Sequence, residues 1–113
     1  MSYELAEKQC IPCRGGIPPL KGDDLTPLQN ELGADWKTVE EHHIEKVFKF
    51  DTYREGIDFV NAVAEIAEEQ QHHPDILLTY GKVRITIWTH AINGLTESDF
   101  IFAARTDRLL PTP

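Results

Sequence analysis

The central stretch of the chain, residues 68–99, reads EEQQHHPDILLTYGKVRITIWTHAINGLTESD. Pro74 disfavours helical geometry at the residue before it, so a helix that enters this stretch is predicted to end just ahead of the proline. Two β-type runs follow at residues 76–80 and 82–89, and Gly81 between them predicts a hairpin turn. The stretch is therefore predicted to hold a helix end, a β-hairpin and the start of another helix.

The segment upstream has the features of a long amphipathic helix. Asp51 or Thr52 is a suitable N-cap, and apolar residues recur at helical spacing to about residue 71. The predicted apolar face comprises Tyr53, Ile57, Phe59, Val60, Val63, Ala64, Ile66 and Ala67. Such a wide face is expected to lie across a sheet.

Shorter elements flank this helix and hairpin. Alternating apolar and polar residues predict strands at residues 36–41 and 44–50. A short helix is predicted to end at Gly33, and Thr96 with Asp99 resembles a capping box that starts a last helix. That helix is predicted to run to about residue 110.

The order of elements predicts the fold class. Short connections favour antiparallel hairpins, so we expect an α+β fold: a four-stranded antiparallel sheet with helices packed on one face, in the order α-β-β-α-β-β-α. The prolines and glycines of residues 1–22 predict an irregular N-terminal arm, and residues 23–113 a single domain.

Composition narrows the class of function. The formal net charge of −8 over 113 residues argues against nucleic-acid binding, because phosphate contacts need a basic surface. No apolar run approaches the roughly 18–20 residues of a membrane helix. The N-terminus has no signal-peptide pattern, so a cytoplasmic setting and no membrane association are expected.

The two cysteines, Cys10 and Cys13, form a single C-x-x-C. A structural zinc site needs further ligands, and a redox pair would sit between a strand and a helix rather than in a loop. The prediction is a passive arm; a metal shared between subunits and redox chemistry remain open alternatives.

Three histidines could meet at one end of the hairpin. His72 and His73 follow the long helix, and the second hairpin strand returns His90 towards them. Imidazoles exchange protons near neutral pH, which suits acid–base catalysis. Glu68 lies one helical turn before His72 and could orient it, and Asp99 could complete the set.

Simpler interpretations stand beside this one. His72 and His73 could be a polar helix end, and His90 a strand end. Three histidines and a carboxylate could also bind zinc, although adjacent helical side chains point about 100° apart, which disfavours one shared ion. The other pair, His42 and His43, is expected to be an exposed turn without a chemical role.

The spacing of these residues resembles a family signature. Intervals of three, five, nine and eight residues separate Glu68, the His72-His73-Pro74 triplet, Tyr80, His90 and Asp99. This pattern resembles that of the pterin-4a-carbinolamine dehydratases, also called 4a-hydroxytetrahydrobiopterin dehydratases. The C-x-x-C-x-G-G-x-P-P-L arm is similar to one common in bacterial members.

The resemblance implies a reaction and roles for the residues. The family removes water from the 4a-hydroxytetrahydropterin left by aromatic amino acid hydroxylases, giving quinonoid dihydropterin, without a metal or organic cofactor. The resemblance implies that His72, His73 and His90 are catalytic, with His72 and His90 as the proton-transfer pair. Glu68 and Asp99 would support them or bind substrate.

Other properties follow from the same resemblance. A homodimer or homotetramer is implied, as is a functional link to an aromatic amino acid hydroxylase. Family members commonly carry an aromatic residue where this chain has Ile76, which removes a possible stacking surface. Trp88 is interpreted as a packing or oligomer contact.

A second interpretation assigns the chain to a different class of function. Some dehydratase-like proteins are thought to be non-catalytic interaction or assembly factors, and others to act in molybdopterin metabolism. The histidine and carboxylate set is complete here, which favours the enzyme.

Overall fold

The computed structural model describes residues 3–7 and 18–110. The helices of this part are α1 (Tyr3–Glu7), α2 (Thr26–Leu32), α3 (Tyr53–Gln70) and α4 (Glu97–Asp107), with short 3₁₀ turns at Gly22–Asp24 and His90–Ile92. The strands are β1 (Lys37–Val39), β2 (His43–Lys49), β3 (Asp75–Thr79) and β4 (Lys82–Ile87). The predicted α+β order of elements is confirmed, although β1 and β4 are shorter than predicted.

The four strands form one antiparallel sheet in the order β1-β2-β4-β3. Side chains alternate between its faces, so Val83, Ile85 and Ile87 of β4 are fully buried beneath the helices. Arg84 and Thr86 lie on the opposite face, which the helices leave open. The prediction of helices on one face is confirmed.

Helix α3 begins where the sequence predicts. The Thr52 side chain accepts from the backbone N–H of Glu55, whose carboxylate accepts from the backbone N–H of Thr52. This reciprocal capping box satisfies two donors that a helix start leaves unpaired. Phe59, Val63 and Ala67 then turn towards the sheet and are buried. The helix thus delivers His72 and His73 to one end of the sheet.

Helix α4 passes through the centre of the core. Phe100, Phe102 and Ala103 are fully buried, and α1 packs against this helix. Asp107 at its end accepts hydrogen bonds from the Trp36 indole (3.0 Å) and the Lys46 ammonium (2.8 Å). These bonds fix the end of α4 to β2 and to the residue that precedes β1.

The N-terminal arm, predicted to be irregular, contains the short helix α1. Within residues 1–22, α1 is helical and its Leu5 and Ala6 are buried. The region of Cys10 and Cys13 lies outside the described residues. Among those that are described, no helix is both long and apolar enough to cross a membrane.

Candidate functional site

The turn after α3 brings His72 to a buried carboxylate. Gln71 adopts a left-handed conformation (φ 51°, ψ 45°), so the chain leaves the helix before His72. The His72 ring then donates from Nε2 to Asp99 Oδ1 over 2.6 Å. The Asp99 side chain is fully buried, whereas that of His72 is 14% exposed. His72 therefore sits at the boundary between the core and solvent.

Asp99 is held on its other side by two further donors. Its Oδ2 accepts from the Thr89 hydroxyl (3.0 Å) and from the backbone N–H of Thr96 (2.9 Å). The second bond caps α4, as the Thr96–Asp99 pattern predicts. Three donors fix the carboxylate in place, so it holds the His72 ring with Nε2–H inward. In the neutral ring, Nδ1 is then left with a lone pair.

His73 forms a separate pair with Glu68. Its Nε2 lies 2.7 Å from Glu68 Oε2, and the two side chains are 61% and 78% exposed. The expectation that Glu68 orients His72 is therefore wrong: the carboxylate contacts His73 instead. Because both groups are well exposed, solvent screens this pair and it contributes little to stability.

His90 lies in a different group from His72 and His73. It is exposed at the start of the 3₁₀ turn, with its ring centroid 4.4 Å from that of Trp88. Within residues 18–110, no hydrogen bond or ring contact joins His90 to His72 or His73. The backbone nevertheless connects His90 to the His72–Asp99 pair, because Thr89, whose hydroxyl donates to Asp99, directly precedes His90.

The expectation that His42 and His43 are exposed is wrong, whereas their lack of a chemical role stays a prediction. Both are half-buried, and both rings lie against Trp88, with centroids 5.1 and 6.0 Å away. His42 Nδ1 lies 3.0 Å from His43 Nδ1, and His42 Nε2 donates to Asn93 Oδ1 over 2.8 Å. Only the pairing of β2 with β4 reveals this cluster, since 45 positions separate His43 from Trp88.

A cavity of about 380 Å³ opens beside this cluster, on the face of the sheet that the helices leave free. Its lining includes His43, Glu45, Asp75, Ile76, Arg84 and Trp88. Trp88 thus gives the cavity an aromatic wall. In the described part of the chain, no three His, Cys, Asp or Glu side chains are grouped to hold a metal ion.

These observations define an α+β protein with a histidine–carboxylate pair at one end of its sheet and an aromatic-lined cavity nearby. Residues 18–109 match the sequence profile of the family described as "Pterin 4 alpha carbinolamine dehydratase". The chain belongs to this family.

Curated relatives cover nearly the whole chain. A provisionally named pterin-4-alpha-carbinolamine dehydratase of Rubrobacter xylanophilus is 58% identical over 106 residues, covering 94% of this chain and 98% of the relative. A protein of the same provisional name from Alkaliphilus metalliredigens is 48% identical and covers 92% and 94%.

Two solved structures share the fold. A transcriptional coactivator/pterin dehydratase of Brucella melitensis superposes with a TM-score of 0.75 at 28% identity, covering 80% of this chain and 97% of that one. A pterin dehydratase-like protein described as a RuBisCO assembly factor of the alpha-carboxysome gives a TM-score of 0.59 at 30% identity, covering 69% and 92%.

Proposed function

We propose that this protein dehydrates 4a-hydroxytetrahydropterin to quinonoid dihydropterin by histidine acid–base catalysis. The observation that carries the proposal is the His72–Asp99 pair, in which a fully buried carboxylate fixes a partly exposed imidazole. Membership of the pterin carbinolamine dehydratase family supports the substrate class.

The reaction needs two proton transfers and no change in overall oxidation state. The C4a–O bond breaks as an acid protonates the departing hydroxyl, which leaves as water. A base removes the hydrogen of N5, and the electron pair of that N–H bond forms the C4a=N5 double bond. Imidazoles supply both groups near neutral pH.

In this proposal His72 is the base and His90 the acid. With Nε2–H committed to Asp99, the neutral His72 ring has its lone pair at Nδ1 to accept the N5 proton. The Asp99 carboxylate then stabilises the imidazolium that forms, as a buried carboxylate does behind a catalytic histidine. His90 is exposed and can exchange its proton with water between turnovers. His73, beside His72 and paired with Glu68, contacts the substrate.

The test is dehydration of chemically generated 4a-hydroxytetrahydropterin, followed by the absorbance of the quinonoid product. We expect His72→Ala and His90→Ala each to slow turnover by about 10²–10⁴-fold, the usual contribution of a general acid or base. Glu65→Ala, an exposed position on α3, is the matched control and should retain the activity of the unmodified chain.

Two results would contradict the proposal. Unchanged turnover in either histidine variant, with the fold intact by circular dichroism, would remove that residue from the mechanism. Absence of acceleration by the folded, unmodified chain would favour a non-catalytic binding role instead. Similarity to the structure described as a RuBisCO assembly factor makes that role the second candidate.

A further inference from the structure

We infer that His42 is a positioning residue for His90, the proposed acid. It acts through a hydrogen bond to Asn93, which closes the 3₁₀ turn that begins at His90, and it transfers no proton itself. The inference rests on the proposed function, because that function gives His90 its part in the reaction. It joins two segments of the chain that lie 51 positions apart.

The backbone of its turn sets the position of His90. In the described part of the chain, the His90 imidazole forms no hydrogen bond of its own. The turn is closed by the backbone N–H of Asn93, which donates to His90 O over 3.2 Å, and Asn93 adopts a left-handed conformation (φ 52°, ψ 47°). Anything that fixes Asn93 therefore also fixes the residue that begins the turn.

His42 supports this turn by two routes. Its Nε2 donates to the Asn93 Oδ1 atom over 2.8 Å. Its ring also lies against Trp88, with the centroids 5.1 Å apart, and Trp88 in turn contacts His90 at 4.4 Å. The hydrogen bond holds the last residue of the turn, and the tryptophan lies between the two histidine rings.

The His42 ring is itself held at both nitrogen atoms. With Nε2–H directed to Asn93, the neutral ring carries its lone pair at Nδ1. The Nδ1 atom of His43 lies 3.0 Å away and donates to that lone pair. Rotation of the His42 ring would break both bonds, so the donor to Asn93 has a fixed direction.

The backbone before His42 is strained. The N–H of His42 donates to Val39 O over 2.9 Å, and the two residues between them, Glu40 and Glu41, have positive φ angles of 53° and 56°. Asparagine and glycine adopt this geometry more easily than glutamate does. Strain of this kind is common where the surrounding structure holds a functional residue in place. Here the turn presents His42 to Asn93.

The expected consequence lies in the step that breaks the C4a–O bond. An acid must lie within hydrogen-bond reach of the departing hydroxyl. Without the bond from His42 to Asn93, His90 would occupy this position in a smaller fraction of the bound complexes. Because the acid acts in the transition state, the loss should lower kcat and leave KM unchanged.

Two substitutions of His42 separate the hydrogen bond from the ring. His42→Phe keeps a ring against Trp88 and removes the donor, whereas His42→Gln keeps an N–H donor for Asn93 and removes the ring. We expect kcat for dehydration to fall about ten-fold in His42→Phe, less than in His90→Ala, with KM unchanged. His42→Gln should retain kcat within about two-fold.

Substitutions of Asn93 test the same bond from its other end. Asn93→Gly removes the acceptor but still permits the left-handed backbone, and Asn93→Asp keeps an acceptor. The first should lower kcat as His42→Phe does, and the second should not. Combining Asn93→Gly with His42→Phe should cause no further loss, because both remove one interaction. Asn61→Ala, exposed on α3, is the matched control and should keep the kcat of the unmodified chain.

Nuclear magnetic resonance locates His90 without a substrate. The Trp88 indole shifts the signals of protons close to it, so the ring protons of His90 report the distance between the two rings. The signals are assigned by their loss in His90→Ala. We expect them to move in His42→Phe and Asn93→Gly and to keep their positions in His42→Gln. Unmoved signals in both His42→Phe and Asn93→Gly would overturn the inference.

Turnover separates this inference from the proposed function. Movement of the His90 signals in His42→Phe, in a chain that is folded but does not dehydrate the substrate, would support the positioning of His90 and overturn the catalytic proposal. Dehydration with an unchanged kcat in both His42→Phe and Asn93→Gly would overturn the inference and leave the catalytic proposal standing. An equal loss of kcat in His42→Phe and His42→Gln would also overturn it, because the hydrogen bond would then not be the cause.

Discussion

At the scale of single residues, the carboxylate of Asp99 joins the cap of α4 to the histidine that follows α3. One oxygen accepts from His72, and the other accepts from the Thr89 hydroxyl and the Thr96 backbone. The same side chain therefore stabilises a helix start and holds a proposed base. A change at this position should affect stability and activity together.

We expect Asp99→Asn to lower both the free energy of unfolding and the rate of turnover. An amide has one acceptor oxygen, so its NH₂ group would face at least one of the three donors that Asp99 satisfies. An unsatisfied buried donor costs about 1–3 kcal/mol, measurable by urea denaturation. Turnover should fall at least about 10²-fold, since His72 loses its anionic partner. Asp58→Asn, exposed on α3, is the control; unchanged turnover in Asp99→Asn would separate Asp99 from catalysis.

Sequence spacing predicted the contact between Thr96 and Asp99 correctly, but it assigned Glu68 to His72 instead of His73. The Thr96–Asp99 cap is local and follows from an i,i+3 pattern. The i,i+4 spacing of Glu68 and His72 predicted a pair only for a continuous helix. Gln71 instead turns left-handed, which sends His72 to Asp99 and brings His73 back to Glu68. That backbone change has no clear signal in the sequence.

At the scale of elements, the segment before α2 is docked closely onto the loop before α4. The backbone N–H of Leu20 donates to Leu95 O over 2.8 Å. A Cβ atom added at Gly94 would lie 2.5 Å from Pro19 Cβ, a distance that real contacts do not allow. Gly94 therefore permits the two segments to approach.

We expect Gly94→Ala to destabilise the fold by about 1–3 kcal/mol, the usual cost of overpacking. Each kcal/mol should lower the thermal midpoint by about 4–8 °C in a domain of this size. Pro19→Gly removes the clashing atom, so a double-mutant cycle tests the cause. The penalty of Gly94→Ala should shrink in the Pro19→Gly background; an equal penalty would show that another contact is responsible.

Element prediction succeeded where a long pattern or a cap was present. Helix α3 has a capping box at Thr52 and an apolar stripe over 18 residues, so its start and type were predictable. Helix α1 spans five residues, too few for an apolar period to be recognised. Its burial against α4 is a tertiary contact that local sequence does not encode.

At the scale of the whole molecule, the order of the strands creates the cavity. The sequence predicted four antiparallel strands but not that β4 lies between β2 and β3. This order sets Glu45, Thr86 and Asp75 side by side and carries Trp88 to His43. Residues that seemed unrelated along the chain thus share one surface.

A hydrogen bond between side chains also joins the two ends of the described chain. Glu7 in α1 accepts from Arg108, 101 positions later, over 2.6 Å. This hydrogen bond and the positive charge of Arg108 lower the pKa of Glu7 below its ordinary value of 4.5. A carboxyl group whose pKa falls on folding stabilises the folded state when ionised. Its contribution is therefore present above the unfolded pKa and lost as pH falls through the folded one.

We expect Arg108→Gln to lower the thermal midpoint slightly at pH 7, because the pair is exposed and screened by solvent. The difference from the unmodified chain should decline as pH falls below about 4.5, where Glu7 becomes protonated in the unfolded chain and then in the folded one. Thermal melts between pH 3 and 7 in about 0.1 M salt measure this difference in thermal midpoint. Arg54→Gln removes an equal charge from α3 and controls for net charge. A difference that grows on acidification would show that Arg108 stabilises the fold through something other than Glu7.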